Sequence, residues 1–193
     1  MRDIDIRRKL SSEMKRQHSG DSDTLILHEL GLCKGIARVD LAVVNGNIHG
    51  YEIKSQQDTL VRLPHQAGIY SRALEFVTIV ASPSHATKIE SIVPPWWGLW
   101  TAIQSEDEIR LERVRDAHPN PQLDPLALAQ LLWRDEVLQA LIDREFAVGM
   151  RSKSRDELCK HLASNVSLQE LGEVVRMNLK RRGASWRVPV SQA

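Results

Sequence analysis

Ala37-Arg38-Val39-Asp40-Leu41-Ala42-Val43-Val44-Asn45-Gly46-Asn47-Ile48-His49-Gly50-Tyr51-Glu52-Ile53-Lys54 is the stretch whose reading decides the fold. Two apolar runs flank Asn45-Gly46, the strongest short-range hairpin signal. Side chains alternate along a strand, so Glu52 and Lys54 project from one face while Tyr51 and Ile53 face the other. The turn decides whether Asp40 joins them. A two-residue turn pairs Val44 with Asn47 and sets Asp40 opposite Tyr51. A three-residue loop, Asn45-Gly46-Asn47, pairs Val44 with Ile48 and Asp40 with Glu52. Glycine tolerates the left-handed position such a loop requires, and a β-bulge would have the same effect. We expect the three-residue loop or a bulge, and two facing carboxylates.

Two adjacent carboxylates repel unless one is protonated or a cation bridges them. All-oxygen ligation suits Mg²⁺ or Mn²⁺ rather than zinc. The Ile53 carbonyl sits between Glu52 and Lys54 and offers a further oxygen. A lysine two residues from the carboxylate can orient a water or neutralise a scissile phosphate. A Glu-x-Lys triplet alone is common, so its surroundings carry the weight. The flanking strands are strongly apolar, which makes a charged face unusual.

Outward from the hairpin, Ile6, Leu10 and Met14 recur every four residues and predict an amphipathic helix over residues 2–16. Ser19 to Asp23 breaks it and offers a cap to a second helix, which carries His28 and Glu29 and stops near Gly31. After the hairpin, Pro64 starts a helix to about Glu75, in which Gln66 and Tyr70 share a face, as do Arg62 and Gln66. Phe76 to Ala81 is a continuous apolar run, expected of a strand buried on both faces. A helix over residues 83–92 ends at Pro94-Pro95. Strands over 96–103 and 109–114 follow. Asp116 to Pro125 holds three prolines and reads as a linker. Beyond it the pattern is helical: one or two helices over 126–146, then 154–163 and 167–182.

The series Glu29, Asp40, hairpin, Glu52-Ile53-Lys54, Gln66-x-x-x-Tyr70 resembles the PD-(D/E)XK nuclease superfamily. The Gln66–Tyr70 element is similar to the branch containing RecB-type and lambda-exonuclease-type nucleases. His28-Glu29-Leu30-Gly31-Leu32, the run from Ala37 to Gly46, His49-Gly50-Tyr51-Glu52-Ile53-Lys54-Ser55, Asp58-Thr59-Leu60, Pro64-His65-Gln66 and Val93-Pro94-Pro95-Trp96-Trp97-Gly98 resemble a largely uncharacterised bacterial branch. The resemblance covers about residues 1–115. It implies an α/β restriction-endonuclease-like core, a mixed central sheet flanked by helices, over residues 1–118. It implies Asp40, Glu52 and the Ile53 carbonyl as ligands of Mg²⁺ or Mn²⁺, Lys54 as the catalytic lysine, and Glu29 as support for the metal. Gln66 and Tyr70 would position the strand or the metal's water, and Arg62 would meet a phosphate. Val39 replaces the family's proline. Ser55-Gln56-Gln57 adds no acidic residue after the lysine, so a second metal is not implied. The expected activity is metal-dependent hydrolysis of DNA phosphodiesters, in repair, restriction or phage defence.

The remaining features set the context. The 193 residues are 42% hydrophobic and 26% charged, ordinary for a globular chain. No apolar run approaches a membrane span, and the charged N-terminus has no signal-peptide core. Cys33 and Cys159 form no framework, so a reducing cytoplasm is expected. From Met150 onward nine basic residues face four acidic ones, a net +5, which leaves −4 for the rest under a total of +1. Residues 119–193 therefore read as a helical C-terminal unit. It is either a helix-turn-helix in which Arg176, Lys180, Arg181 and Arg182 reach DNA, or a cap or dimerising element. Cutting both strands would call for a homodimer or a partner protein. Two other functions stay open: a silent nucleic-acid-binding subunit and a helix-turn-helix regulator. His28, His49 and His65 fall near the proposed site. Trp96, Trp97 and Trp100 are read as packing rather than as a base-stacking platform.

Overall fold

The computed structural model describes residues 1–105 and 108–183. Arg187, counted in the basic end, lies outside them. Helix α1 (Asp3–Gln17) forms because Ile6, Leu10 and Met14 make one apolar stripe, and all three are fully buried. Strands β1 (Leu25–Leu32), β2 (Ala37–Val44) and β3 (Ile48–Lys54) follow. Helix α2 (Leu63–Ala73) leads to β4 (Phe76–Ala81), and α3 (Pro83–Glu90) to β5 (Gly98–Ser105); β6 (Glu108–Arg115) is next in the chain. The six strands make one mixed sheet in chain order. β3, β4 and β5 run parallel, and the other neighbours are antiparallel. The fold is α/β, as the sequence indicates.

The sheet separates two layers. On one face α1 packs over Leu41, Val43, Tyr51, Ile53, Val80 and Trp100. On the other, Tyr70 of α2 and Ile89 of α3 pack over Ala42, Ile48, Val77, Ile79 and Leu99. β4 feeds both layers, as its unbroken apolar run requires. Gly50 permits the close approach of β3 to the end of α2: a Cβ there would lie 2.5 Å from Leu74 Cδ1.

The C-terminal region supplies α4 (Pro125–Ala129), α5 (Arg134–Ile142), α6 (Arg155–Asn165) and α7 (Leu168–Arg182). Ser154 and Ser167 cap α6 and α7, each in a capping box with the glutamate three residues on. Leu128, Leu132, Leu158, Leu162, Val175 and Leu179 join the same apolar cluster as Tyr70 and Trp97. Residues 119–183 thus share one core with the α2 face of the sheet. The basic side chains of α7 mostly turn inward: Arg176 pairs with Glu75, Lys180 with Asp23 and Arg182 with Glu136. Arg181 is exposed, beside Glu173 and Met177.

Two local expectations are corrected. Residues 25–32 form a strand, not a helix. Glu29 adopts φ 55°, and the ladder to β2 runs from His28↔Leu41 to Leu30↔Val39 without pairing Glu29 and Asp40. Across this irregularity Leu27 and Leu30 enter the same core. Their three-residue spacing imitates a helix, and pairing with the apolar β2 overrides local propensity. The hairpin loop has the expected three residues, with Val44 opposite Ile48. Gly46, however, is not left-handed. Instead the loop is closed by hydrogen bonds within it, the Asn47 N–H donating to Asn45 Oδ1 at 3.3 Å and the Asn45 N–H to the Asn47 carbonyl at 3.0 Å. Trp96 and Trp97 are buried, as the packing reading requires, and Trp97 stacks on Tyr70 with ring centroids 6.0 Å apart.

Candidate active site

The register that pairs Val44 with Ile48 would bring Asp40 opposite Glu52, but the β2–β3 ladder ends at Leu41↔Tyr51. Beyond that point the strands part, and the Asp40 carboxylate takes the place of the missing rungs. Its Oδ2 accepts the Ile53 backbone N–H at 2.7 Å. Its Oδ1 accepts from Arg7 of α1 at 2.6 Å. The two carboxylates therefore share one cavity rather than meeting as a ladder pair. Burial, and after it the charge of Glu52, push the Asp40 carboxyl up to about 6; the Ile53 N–H and Arg7 pull the other way.

Glu52 and Lys54 do project together. Both are nearly inaccessible, at 2% and 5% exposure. Lys54 Nζ donates to Glu52 Oε1 at 2.6 Å and to Gln66 Oε1 at 3.0 Å. The Gln66 Nε2 donates to the same Glu52 oxygen at 2.7 Å. The Tyr70 hydroxyl donates to Glu52 Oε2 at 2.6 Å and lies 2.8 Å from the Arg38 carbonyl. Burial, then the neighbouring Glu52 charge, raise the Tyr70 hydroxyl far above its usual range, so it stays a donor. The one-turn spacing of Gln66 and Tyr70 on α2 is what allows both to reach Glu52.

The cavity measures about 270 Å³ and is lined by Asp40, Glu52, Ile53, Lys54, Gln66, Glu29 and Arg62, and also by Asp3, Arg7, Arg38 and Asp58. Every site residue expected from sequence except Tyr70 reaches its wall, and Tyr70 stands behind Glu52. Glu29 arrives from a strand. Its carboxylate lies 3.2 Å from Arg38 and 3.9 Å from Arg7. Asp58 accepts the Ser55 N–H and hydroxyl at 2.8 and 2.6 Å, fixing the chain just after Lys54. None of His28, His49 and His65 lines this cavity. Sequence reading gave no site role to Asp3, Arg7 or Arg38, and quoted Asp58 only within the resemblance. Asp58 carries a local signal, an aspartate three residues after a serine at a strand end. Arg7 meets Asp40 across 33 positions and has no local signal.

The donor chemistry suits a hard divalent cation, since Asp40 and Glu52 supply only oxygens. Among the described residues no group of three or more His, Cys, Asp or Glu side chains is placed to hold a metal ion. Two carboxylates and backbone or water oxygens would have to suffice.

Together, the fold and this cavity define an α/β chain with a buried carboxylate–lysine network at the parted end of a mixed sheet. Residues 4–187 match the family model of Bacteriophage P4 protein cII, and the chain belongs to that family. A curated relative, protein cII of Enterobacteria phage P4, is 26% identical over 161 residues, which cover 83% of this chain and 60% of the relative. The chain thus spans about three fifths of that relative's length. A solved protein of unknown function from Silicibacter pomeroyi aligns over 68% of this chain and 85% of its own, with a TM-score of 0.40 and 23% identity. No described helix is long and apolar enough to cross a membrane.

Proposed function

We propose that the chain is a metal-dependent nuclease of the PD-(D/E)XK kind, hydrolysing DNA phosphodiester bonds with Mg²⁺ or Mn²⁺. The observation that carries this reading is the convergence of Asp40, Glu52, Lys54 and Gln66 on one cavity where two strands part. Asp40 and Glu52 would hold the ion, with the Ile53 carbonyl beside them. Bound there, the ion would stabilise charge developing on phosphorus oxygens. Tyr70 and Gln66 hold the Glu52 carboxylate in one orientation. Lys54, held between Glu52 and Gln66, places a positive charge where a scissile phosphate would enter. Arg62, at the exposed edge of the cavity, would meet a flanking phosphate. The test is cleavage of circular single-stranded and supercoiled double-stranded DNA with Mg²⁺, Mn²⁺ or EDTA; cutting of a closed circle would show an endonuclease.

The second reading is a nucleic-acid-binding protein that does not cut, either a subunit of a larger complex or a regulator. Two observations favour it. The family is that of a phage protein whose name carries no reaction. And both Glu52 oxygens, like both Asp40 oxygens, already accept hydrogen bonds from the chain itself. Binding of DNA that is indifferent to EDTA, without cleavage under any metal, would establish it.

A further inference from the structure

A second cavity, of about 450 Å³, lies where α1 meets β1, an edge strand of the sheet. Ile4, Arg8, Ser11, Ser12 and Lys15 line it along one face of the helix. His28 closes it from β1, with its Nε2 3.4 Å from Ser11 Oγ. Arg7 belongs to this wall and to that of the carboxylate cavity, so the two cavities adjoin. α1 can offer this face because Ile6, Leu10 and Met14, on its other side, are buried against the sheet.

The cations of this face are unspent. Among the described residues, eight of the eleven lysines and arginines between Arg2 and Arg72 pair with a carboxylate. The three that do not are Arg8, Lys15 and Arg62. All three are exposed, and each lines one or other of the cavities that share Arg7. The acidic side chains of α1 do not offset them: Asp3 pairs with Arg7, Asp5 with Arg2 and Glu13 with Arg16. The unpaired positive charge of this part of the chain is thus gathered around the carboxylate network.

We propose that this face of α1 is a phosphate track that seats the backbone of duplex DNA beside the carboxylate cavity, with Arg8 and Lys15 holding one stretch of backbone. The proposal rests on the nucleic-acid reading given above and adds the face that the duplex meets. Two helical turns set Arg8 and Lys15 about 10 Å apart, the rise of about three nucleotides along one strand. Ser11 and Ser12 lie between them, and cations interleaved with hydroxyls are common partners of phosphate oxygens. No Trp, Tyr or Phe lines this cavity, so it offers no platform for unpaired bases. A duplex, whose phosphates face outward, fits it better than a single strand. An anionic bilayer would call for an exposed apolar face on α1, which the sheet has already taken.

The test is binding of a short fluorescent DNA duplex, and of its single strand, to the full chain in EDTA, read by anisotropy over a range of salt. The double variant Arg8→Ala/Lys15→Ala is titrated alongside, and Arg181→Ala as the rival basic surface. All three residues are exposed, so the replacements leave the core intact. The duplex is expected to bind more tightly than the single strand. The double variant should bind the duplex about tenfold or more weakly, with the slope of log affinity against log salt reduced by about 1.8, the equivalent of two phosphate contacts. Arg181→Ala should match wild type. Four results would overturn the proposal: unchanged affinity and slope in the double variant, a loss confined to Arg181→Ala, tighter binding of the single strand, or no duplex binding by wild type. EDTA excludes metal-dependent cleavage, so the proposal and the nuclease reading can fail separately. A wild type that binds through Arg8 and Lys15 but never cuts with any metal sinks only the nuclease. A wild type that cuts while the double variant binds normally sinks only the track.

Discussion

Asp40 accepts the backbone N–H of Ile53 at 2.7 Å across the point where β2 and β3 stop pairing. One carboxylate thereby closes the opened sheet and faces the cavity that holds Glu52 and Lys54. A buried backbone N–H needs a partner, so Asp40 has a structural duty beside any chemical one. Its other oxygen, Oδ1, answers to α1 through Arg7.

Replacing Arg7 by Met should therefore be felt in stability. Its guanidinium pairs with Asp40 at 2.6 Å, and both side chains are about four-fifths buried. Loss of about 1–3 kcal/mol is expected, because a largely buried carboxylate is left without its cation. Urea unfolding of the two proteins measures it. A change under 0.5 kcal/mol would mean that water or Arg38 takes over the role.

Tyr70→Phe removes one hydroxyl and leaves its volume. The buried Glu52 Oε2 then loses a 2.6 Å bond. We expect destabilisation of about 1–3 kcal/mol, again by urea unfolding, with the near-UV spectrum preserved. An unchanged midpoint would show that the hydroxyl carries no structural weight.

His49 predicts a pH dependence of defined sign. An imidazole whose pKa is pushed down to about 4 from 6.5 adds stability that is fully present above pH 6.5. That stability is lost as pH falls toward 4, where the unfolded chain binds the extra proton. The contribution is about 2–3 kcal/mol. Asp40, raised to about 6, gives the opposite slope: its stabilisation fades as pH rises from about 4 to 6. The informative quantity is thus the difference between wild type and His49→Gln. It should shrink by about 2–3 kcal/mol between pH 7 and pH 4. A difference that does not vary with pH would contradict the burial of the imidazole.

Leu162 tests the shared core. It is fully buried on α6 in the cluster that also holds Tyr70 and Trp97. Leu162→Ala should lower stability by about 2–5 kcal/mol. The whole chain should still melt in one transition, seen alike by tryptophan fluorescence and by circular dichroism. Two separate transitions, only one of them shifted, would show that the C-terminal helices fold independently.

Much of this was legible in local pattern. The stripe Ile6-Leu10-Met14, the apolar run 76–81 and the Asn-Gly hairpin each carry their period in the sequence, and each forms where expected. Glu52, Lys54, Gln66 and Tyr70 were legible as a group because strand alternation and one helical turn place them. What was illegible depends on distance or on backbone strain. The left-handed Glu29 gives Leu27 and Leu30 a helical spacing inside a strand. The parting of β2 from β3 leaves no mark in composition. Arg7 reaches Asp40 only once α1 lies across the sheet. The inward pairing of Arg176 and Arg182 on α7 is equally a product of packing, since the basic end looks free when read alone.

The most direct test of the central claim compares wild type with Lys54→Ala on supercoiled DNA in Mg²⁺, at protein concentrations where both bind the DNA equally. The account predicts nicking by wild type that EDTA abolishes, and a loss of at least about a hundredfold in Lys54→Ala. Equal cutting by the two proteins, or none by wild type with Mg²⁺ or Mn²⁺ while it still binds DNA, would contradict it.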